Sequence, residues 1–303
     1  MSKFKGIITA IVTPFLENGS IFDGGIENQI KYLKKHDIDN VFACGSYGAF
    51  PVMNTWERKY VASKTAEFCR NYGMKCIIHI GSTSTKEAIE LAKHAQGVGA
   101  DAISSVVPFY YSGTFYDEDT YLMYFDKLIK SVDIDVHCYN NPGTTGVNIS
   151  PKLLGKLIGI GLKGMKDGGS DMGKMLEMLS VIGPREFDYY PSSTSSLITG
   201  FLLGVNSCIS GVSLACPSEI MLIYDDMMLG NVYDATETWK KVMKARSILG
   251  KYGSRAIAVY NVLEWRGVVV GTCRSPWLPL TPSQKNDVIN GLIETGIYET
   301  ISG

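Results

Sequence analysis

The chain has 303 residues, 19% of them charged, and a formal net charge of −1. That balance gives no basic field for nucleic acid, and no apolar run reaches the ~20 residues needed to cross a bilayer. Hydrophobic residues make up 45%, the proportion of a soluble globular enzyme with a full core.

In chain order, strand-like and helix-like runs alternate. Gly6–Thr13 is apolar and β-branched, and Gly25–Lys35 places Ile26, Ile30 and Leu33 on one helical face. Val41–Cys44 reads as a strand, Thr55–Tyr72 as a helix and Cys76–Ile80 as a strand. Ser84-Thr85-Lys86-Glu87 has the form of a capping box opening a helix to about Val98. Ala102–Val107 (strand), Glu118–Lys130 (helix) and Asp135–Tyr139 (strand) follow. Ser150-Pro151 starts a helix with proline at its first position. Leu162–Lys166, Phe187–Tyr190 and Ser207–Ser210 are strands, separated by helices over Asp171–Ile182 and Ser195–Leu203. Eight strand–helix units predict parallel strands with right-handed crossovers, and a (β/α)8 barrel over residues 1–216. From Pro217 to residue 303 the pattern is helical, with helices expected over Trp239–Leu249, Ala256–Trp265 and Ser283–Thr295.

Barrel active sites sit at the carboxyl ends of strands. Here those ends supply Thr13-Pro14, Gly45-Ser46-Tyr47-Gly48, Gly81-Ser82-Thr83, Pro108-Phe109-Tyr110-Tyr111, Tyr139-Asn140-Asn141-Pro142, Lys166-Asp167-Gly168, Pro191-Ser192-Ser193-Thr194 and Ile209-Ser210-Gly211. No metal-ligand set appears among them, because His36, His79, His94 and His137 are scattered. The seven cysteines include no CxxC pair and lie mostly in apolar runs, such as Cys76, Cys138 and Cys208. Reduced thiols without a structural metal are expected, in a cytoplasmic protein whose start shows no signal-peptide pattern. Lys166 ends an apolar run, where it is either a solvated loop lysine or a buried amine whose desolvation favours the neutral, nucleophilic form. Tyr139 ends the neighbouring strand, roughly 4.8 Å away.

The ordered set Thr13-Pro14, Gly45-Ser46-Tyr47-Gly48, Pro108-Phe109-Tyr110, Tyr139-Asn140-Asn141-Pro142 and Gly164-Met165-Lys166-Asp167, with Arg274-Ser275-Pro276 later, resembles the dihydrodipicolinate synthase / N-acetylneuraminate lyase family of class I aldolases. The resemblance spans nearly the whole chain. It implies a (β/α)8 barrel with C-terminal helices, assembled as a homotetramer of tight dimers. It implies that Lys166 forms an imine with the keto carbon of a 2-oxo acid, so that no separate cofactor is needed, and that Tyr139 relays protons. It further implies that Gly45, Ser46 and the amides of Ser46 and Tyr47 hold the 2-oxo carboxylate, a role suited to a glycine-flanked turn before a helix. Tyr110 matches the tyrosine passed across the dimer interface into the partner's site, and Ile209 a residue whose backbone faces the keto acid.

Departures from the family narrow the substrate. The usual Gly-Thr-Thr-Gly-Glu loop is Gly45-Ser46-Tyr47-Gly48-Ala49 here, so a longer, differently aimed hydroxyl replaces the second small one of the proton relay. Thr144 stands where synthases carry the arginine that clamps the aldehyde's carboxylate. Ser193 and Thr194 stand where sialic acid lyases carry acidic residues, and Gly168 where sugar-acid members carry threonine. With Ser192 and Thr144 on the substrate side, a small, polar pocket without charge beyond the keto-acid end is expected. The expected reaction is cleavage or formation of a 2-keto-3-deoxy sugar acid, with pyruvate and an aldehyde as the small-molecule partners. The alternatives are dihydrodipicolinate synthesis or a related dehydration, and a non-catalytic member that only binds keto acids. A rival class is a phosphate-binding loop at Gly168-Gly169-Ser170-Asp171-Met172-Gly173-Lys174-Met175, in which Met175 replaces the hydroxyl needed for Mg²⁺.

Overall fold

The computed structural model describes residues 3–111, 116–169 and 171–298. Eight parallel strands form one sheet: β1 (Gly6–Ala10), β2 (Asn40–Ala43), β3 (Lys75–His79), β4 (Ala102–Val106), β5 (Asp135–Asn140), β6 (Gly164–Asp167), β7 (Asp188–Pro191) and β8 (Ser207–Ser210). Their order is sequential, and β1 pairs with both β2 and β8. β7 and β8 lie side by side without a ladder, so the (β/α)8 barrel is nearly closed. Apart from Lys75 and Asp135 at strand starts, every strand residue is buried. This is why the strands read as almost continuous apolar runs rather than alternating ones.

β1 stops at Ala10, short of the expected Thr13, because a side chain takes over from the strand partner. Gln29 accepts from the Val12 amide and donates to the Val12 carbonyl, both at 3.1 Å. The chain then turns, and the Thr13 hydroxyl donates to the Gly48 carbonyl at 2.6 Å. The expected capping box at Ser84 does not form. Ser84 makes no side-chain cap on the helix Thr85–Gly97, since Glu87 accepts instead from the hydroxyls of Ser82 and Thr55. Capping boxes form at Asn54–Glu57 and Thr281–Gln284.

Beyond β8, the helix Pro217–Leu229 packs against β1. The helices Val232–Leu249, Arg255–Trp265 and Pro282–Glu294 follow, the first starting at Val232 rather than at Trp239. Two hydrogen bonds tether this layer to the barrel mouth. Trp239 Nε1 donates to the Thr194 carbonyl after β7 at 2.8 Å, and the Tyr260 hydroxyl donates to the Thr13 carbonyl after β1 at 2.6 Å.

Candidate active site

Lys166 lies in β6 directly opposite Tyr139 of β5. Both side chains are buried, Lys166 to 5% exposure. Strand alternation sends Lys166 into the barrel and turns the adjacent Asp167 away. Asp167 is occupied there by Asn140 (2.8 Å), Tyr189 (2.7 Å) and the Gly169 amide (2.9 Å). No hydrogen bond or ion pair reaches Lys166 Nζ among the described residues. It sits 4.1 Å from the ring centroids of Phe42 and Tyr139. Burial alone therefore pushes the amine down from the usual 10.5 to about 7. Of the two sequence readings for Lys166, the solvated one is excluded.

Burial also raises the Tyr139 phenol above its ordinary value, with a hydrogen bond from Ser46 opposing it. Asn141 Nδ2 donates to Ser46 Oγ at 3.2 Å, joining the β2 and β5 loops. The β2 loop is tightly drawn. Cys44 and Ala49 adopt left-handed backbone at φ 56° and 53°, uncommon for non-glycine residues and concentrated at functional sites. A Cβ on Gly45 would lie 2.4 Å from the Phe42 ring. The amides of Ser46 and Tyr47 have no acceptor among the described residues, while those of Ala49 and Phe50 bond back into the turn.

A cavity of about 320 Å³ brings these groups together. Ser46, Tyr47, Tyr139, Thr144, Lys166, Ser192 and Ile209 all line it, so seven of the nine sequence-selected residues converge. Gly45 underlies the loop without lining the cavity. Tyr110 is not brought to the cavity of its own chain: it is 82% exposed at φ 84° and stacks edge-on against Tyr111.

One expectation is overturned. The far end of the cavity is not uncharged, because Arg246 and Arg255 line it from the C-terminal helices. Nothing near Lys166 in the sequence signals them; both sit on helices whose register toward the barrel depends on the tethers described above. Tyr47 also departs from a simple relay role. Its ring lies flat on Gly211, and its buried hydroxyl faces Arg255 without a hydrogen bond of normal geometry. Burial raises this phenol, and the two arginines oppose the rise.

The phosphate-loop reading fails on geometry. Asp171 caps the helix Met172–Ile182 by accepting from the Lys174 amide, which occupies the N-terminus with a carboxylate, and Lys174 Nζ donates to Asn148. Ser170 of that motif lies outside the described residues. Among the described residues, no group of three or more His, Cys, Asp or Glu side chains could hold a metal ion. Nor, among those residues, is any helix long and apolar enough to cross a membrane.

Residues 3–294 match the model of the dihydrodipicolinate synthetase family. The chain belongs to this family. It is 30% identical over 279 residues to 4-hydroxy-tetrahydrodipicolinate synthase of Acetivibrio thermocellus, covering 92% of both chains. It is 28% identical to the synthase of that name from Methanocaldococcus jannaschii, covering 97% of this chain and 99% of the relative. Among solved structures, a prophage protein of the family from E. coli K12 in complex with pyruvate superposes with a TM-score of 0.92 at 25% identity, covering 98% and 100% of the two chains. CdNal from Clostridium difficile, in complex with mannosamine, superposes with a TM-score of 0.91 at 25% identity, covering 97% and 100%. The family works through a pyruvate Schiff base on a lysine, without an external cofactor.

Proposed function

We propose that this protein is a class I lyase that cleaves, or in reverse forms, a 2-oxo-3-deoxy acid of the sugar-acid type, giving pyruvate and an aldehyde. The observation that carries the reading is a buried, unpaired amine at Lys166 beside the Tyr139 phenol. The unpartnered amides of Ser46 and Tyr47 suit the 2-oxo carboxylate, an anion held by a turn.

In the proposed sequence Lys166 Nζ adds to C2 of the substrate. The carbinolamine hydroxyl leaves as water with a proton from Tyr139, and a protonated imine remains. That cation, next to the Tyr139 ring, favours the phenolate just formed. The phenolate takes the proton of the C4 hydroxyl while the C3–C4 electron pair flows into the imine, releasing the aldehyde and leaving an enamine. Tyr139 returns its proton to C3, and water hydrolyses the imine to pyruvate and free amine. A positioned acid–base group of this kind contributes about 10²–10⁴-fold.

The names of the relatives favour a second reading, dihydrodipicolinate-type synthesis from pyruvate and an acidic aldehyde. Against it stands Thr144, exposed at the cavity where the synthase arginine would be. The intact Lys166–Tyr139 pair supports turnover over a role in binding alone. Tyr110, exposed on its own chain, fits completion of a partner's site in a dimer-based tetramer. The seven buried free thiols fit a reducing, cytoplasmic setting.

The test is intact mass after incubation with pyruvate and borohydride, with the modified peptide mapped. One reduced pyruvate on Lys166, lost in Lys166→Ala, is expected. An adduct, or full lyase activity, that survives Lys166→Ala would overturn the reading.

A further inference from the structure

We propose that Arg246 and Arg255 form a distal anion site, so that the far end of the 2-oxo acid bound at Lys166 carries a second carboxylate or a phosphate. The inference rests on the Schiff-base reading, which fixes the near end of the substrate.

The charge inventory of the cavity comes first. Among the described residues it is lined by Lys166, Arg246 and Arg255, and by no aspartate or glutamate. In a chain of net charge −1, such one-signed lining is not a by-product of composition. The 2-oxo carboxylate and the imine account for the Lys166 end. They leave two guanidinium groups unassigned.

Neither arginine has a carboxylate partner among the described residues, although nearby lysines do: Lys240, on the helix of Arg246, pairs with Glu237, and Lys251, in the turn between the two helices, pairs with Asp287. The two arginines instead share the cavity lining with Tyr47, whose phenol both of them hold down against the rise caused by burial. Like charges held together in a half-buried place repel, and an anion between them relieves that repulsion. Arg246 is held below its ordinary value first by burial and then by Arg255, the state a bound anion would reverse.

The third observation is the Tyr47 hydroxyl. It is buried, makes no hydrogen bond of normal geometry, and lies beside Arg255 in the cavity that Arg246 also lines. A buried, unsatisfied hydroxyl is destabilising, and a ligand oxygen would satisfy it. Its ring is fixed in place by Gly211, where any larger residue would collide. The site is also held rigidly, since each arginine helix is tied to a barrel loop by the Trp239 and Tyr260 hydrogen bonds. Thr144 offers no charge at the β5 loop, so recognition of a distal anion has its donors on the helical layer instead.

The experiment uses imine trapping, which needs no turnover. Borohydride trapping is titrated with four 2-oxo acids: 2-oxopentanoate (no distal charge), 2-oxoglutarate and 2-oxoadipate (distal carboxylate at two lengths), and 2-oxo-4-phosphonobutyrate (distal phosphonate). Charge-assisted hydrogen bonds of about 1.5–3 kcal/mol predict half-saturation at roughly 10–100-fold lower concentration for an anionic probe than for 2-oxopentanoate. Arg246→Gln and Arg255→Gln should remove that preference while leaving pyruvate trapping intact. A preference for the phosphonate assigns a phosphate, and a preference for either diacid a carboxylate. Equal half-saturation for all four, with normal pyruvate trapping, overturns the distal site alone. Failure of the wild-type protein to trap pyruvate overturns the Schiff-base reading, and the distal site with it.

Discussion

Lys166 owes its lowered pKa to its surroundings rather than to a partner. With a pKa near 7 set by burial, the free amine appears as pH rises through about 7. The rate of pyruvate trapping should therefore climb from pH 6 to 8 and level off, instead of rising toward 10.5; a titration limb above 9 would contradict the burial argument. The same shift bears on stability. Below pH 7 the amine is charged in both folded and unfolded chains, and burying it costs a few kcal/mol. Between 7 and 10.5 only the unfolded chain keeps the proton, so stability rises with pH. Lys166→Met should then raise the melting temperature most below pH 7, with the gain shrinking toward pH 10. At Tyr139, substitution by Phe should lower kcat by about 10²–10⁴-fold, with pyruvate trapping still detectable, as measured by aldehyde release against adduct formation. Lys166 and Tyr139 were both legible in the sequence, because each ends a strand within a distinctive motif and strand order alone makes them neighbours. Arg246 and Arg255 were not, because a helix surface does not announce which barrel loop it will face.

Between elements, the contact of the β2 loop with the turn after β8 shapes the cavity. A Cβ placed on Gly211 would meet Tyr47 Cζ at 2.3 Å. Gly211 itself has φ −85°, so its backbone does not demand glycine; only space does. Gly211→Ala should cost about 1–3 kcal/mol through overpacking and displace the Tyr47 hydroxyl. Adding Tyr47→Ser should recover most of that cost, since residues in contact are non-additive. A double-mutant cycle by urea unfolding measures this, and simple additivity would refute the contact. The unusual Tyr47 was visible in the sequence, but its partner lies across the barrel and no local pattern links the two. The strands and helices themselves were readable from periodicity, while their ends depended on non-local groups. Gln29 ends β1, and Ser82 and Thr55 draw Glu87 away from Ser84.

At the scale of the whole molecule, the C-terminal layer brings Arg246 and Arg255 to the cavity only while it stays registered on the barrel, and Arg274 is central to that registration. Its guanidinium pairs with both carboxylate oxygens of Glu57, at 2.9 and 2.6 Å, and donates to the carbonyls of Val52 and Gly19. It also lies 4.2 Å over the Phe15 ring. Thus one side chain joins the segment before the last helix to the β1 and β2 loops, beside an isolated bridge between Phe15 and Thr272. Arg274 and Glu57 are both largely shielded from solvent, at 18% and 17% exposure, so salt should screen the pair weakly. Removing one partner leaves Glu57 uncompensated, a loss that reaches about 3–5 kcal/mol for fully buried pairs. Arg274→Ala should therefore lower the urea midpoint clearly at both low and high salt. Arg274→Lys should rescue little, because an ammonium cannot match two carboxylate oxygens and two carbonyls from one planar fork. Because the layer that loosens carries Arg246 and Arg255, the preference for distal anions should fall in Arg274→Ala before pyruvate trapping does. Parallel loss of both would mean that the layer supports the barrel as a whole rather than the far end of its cavity.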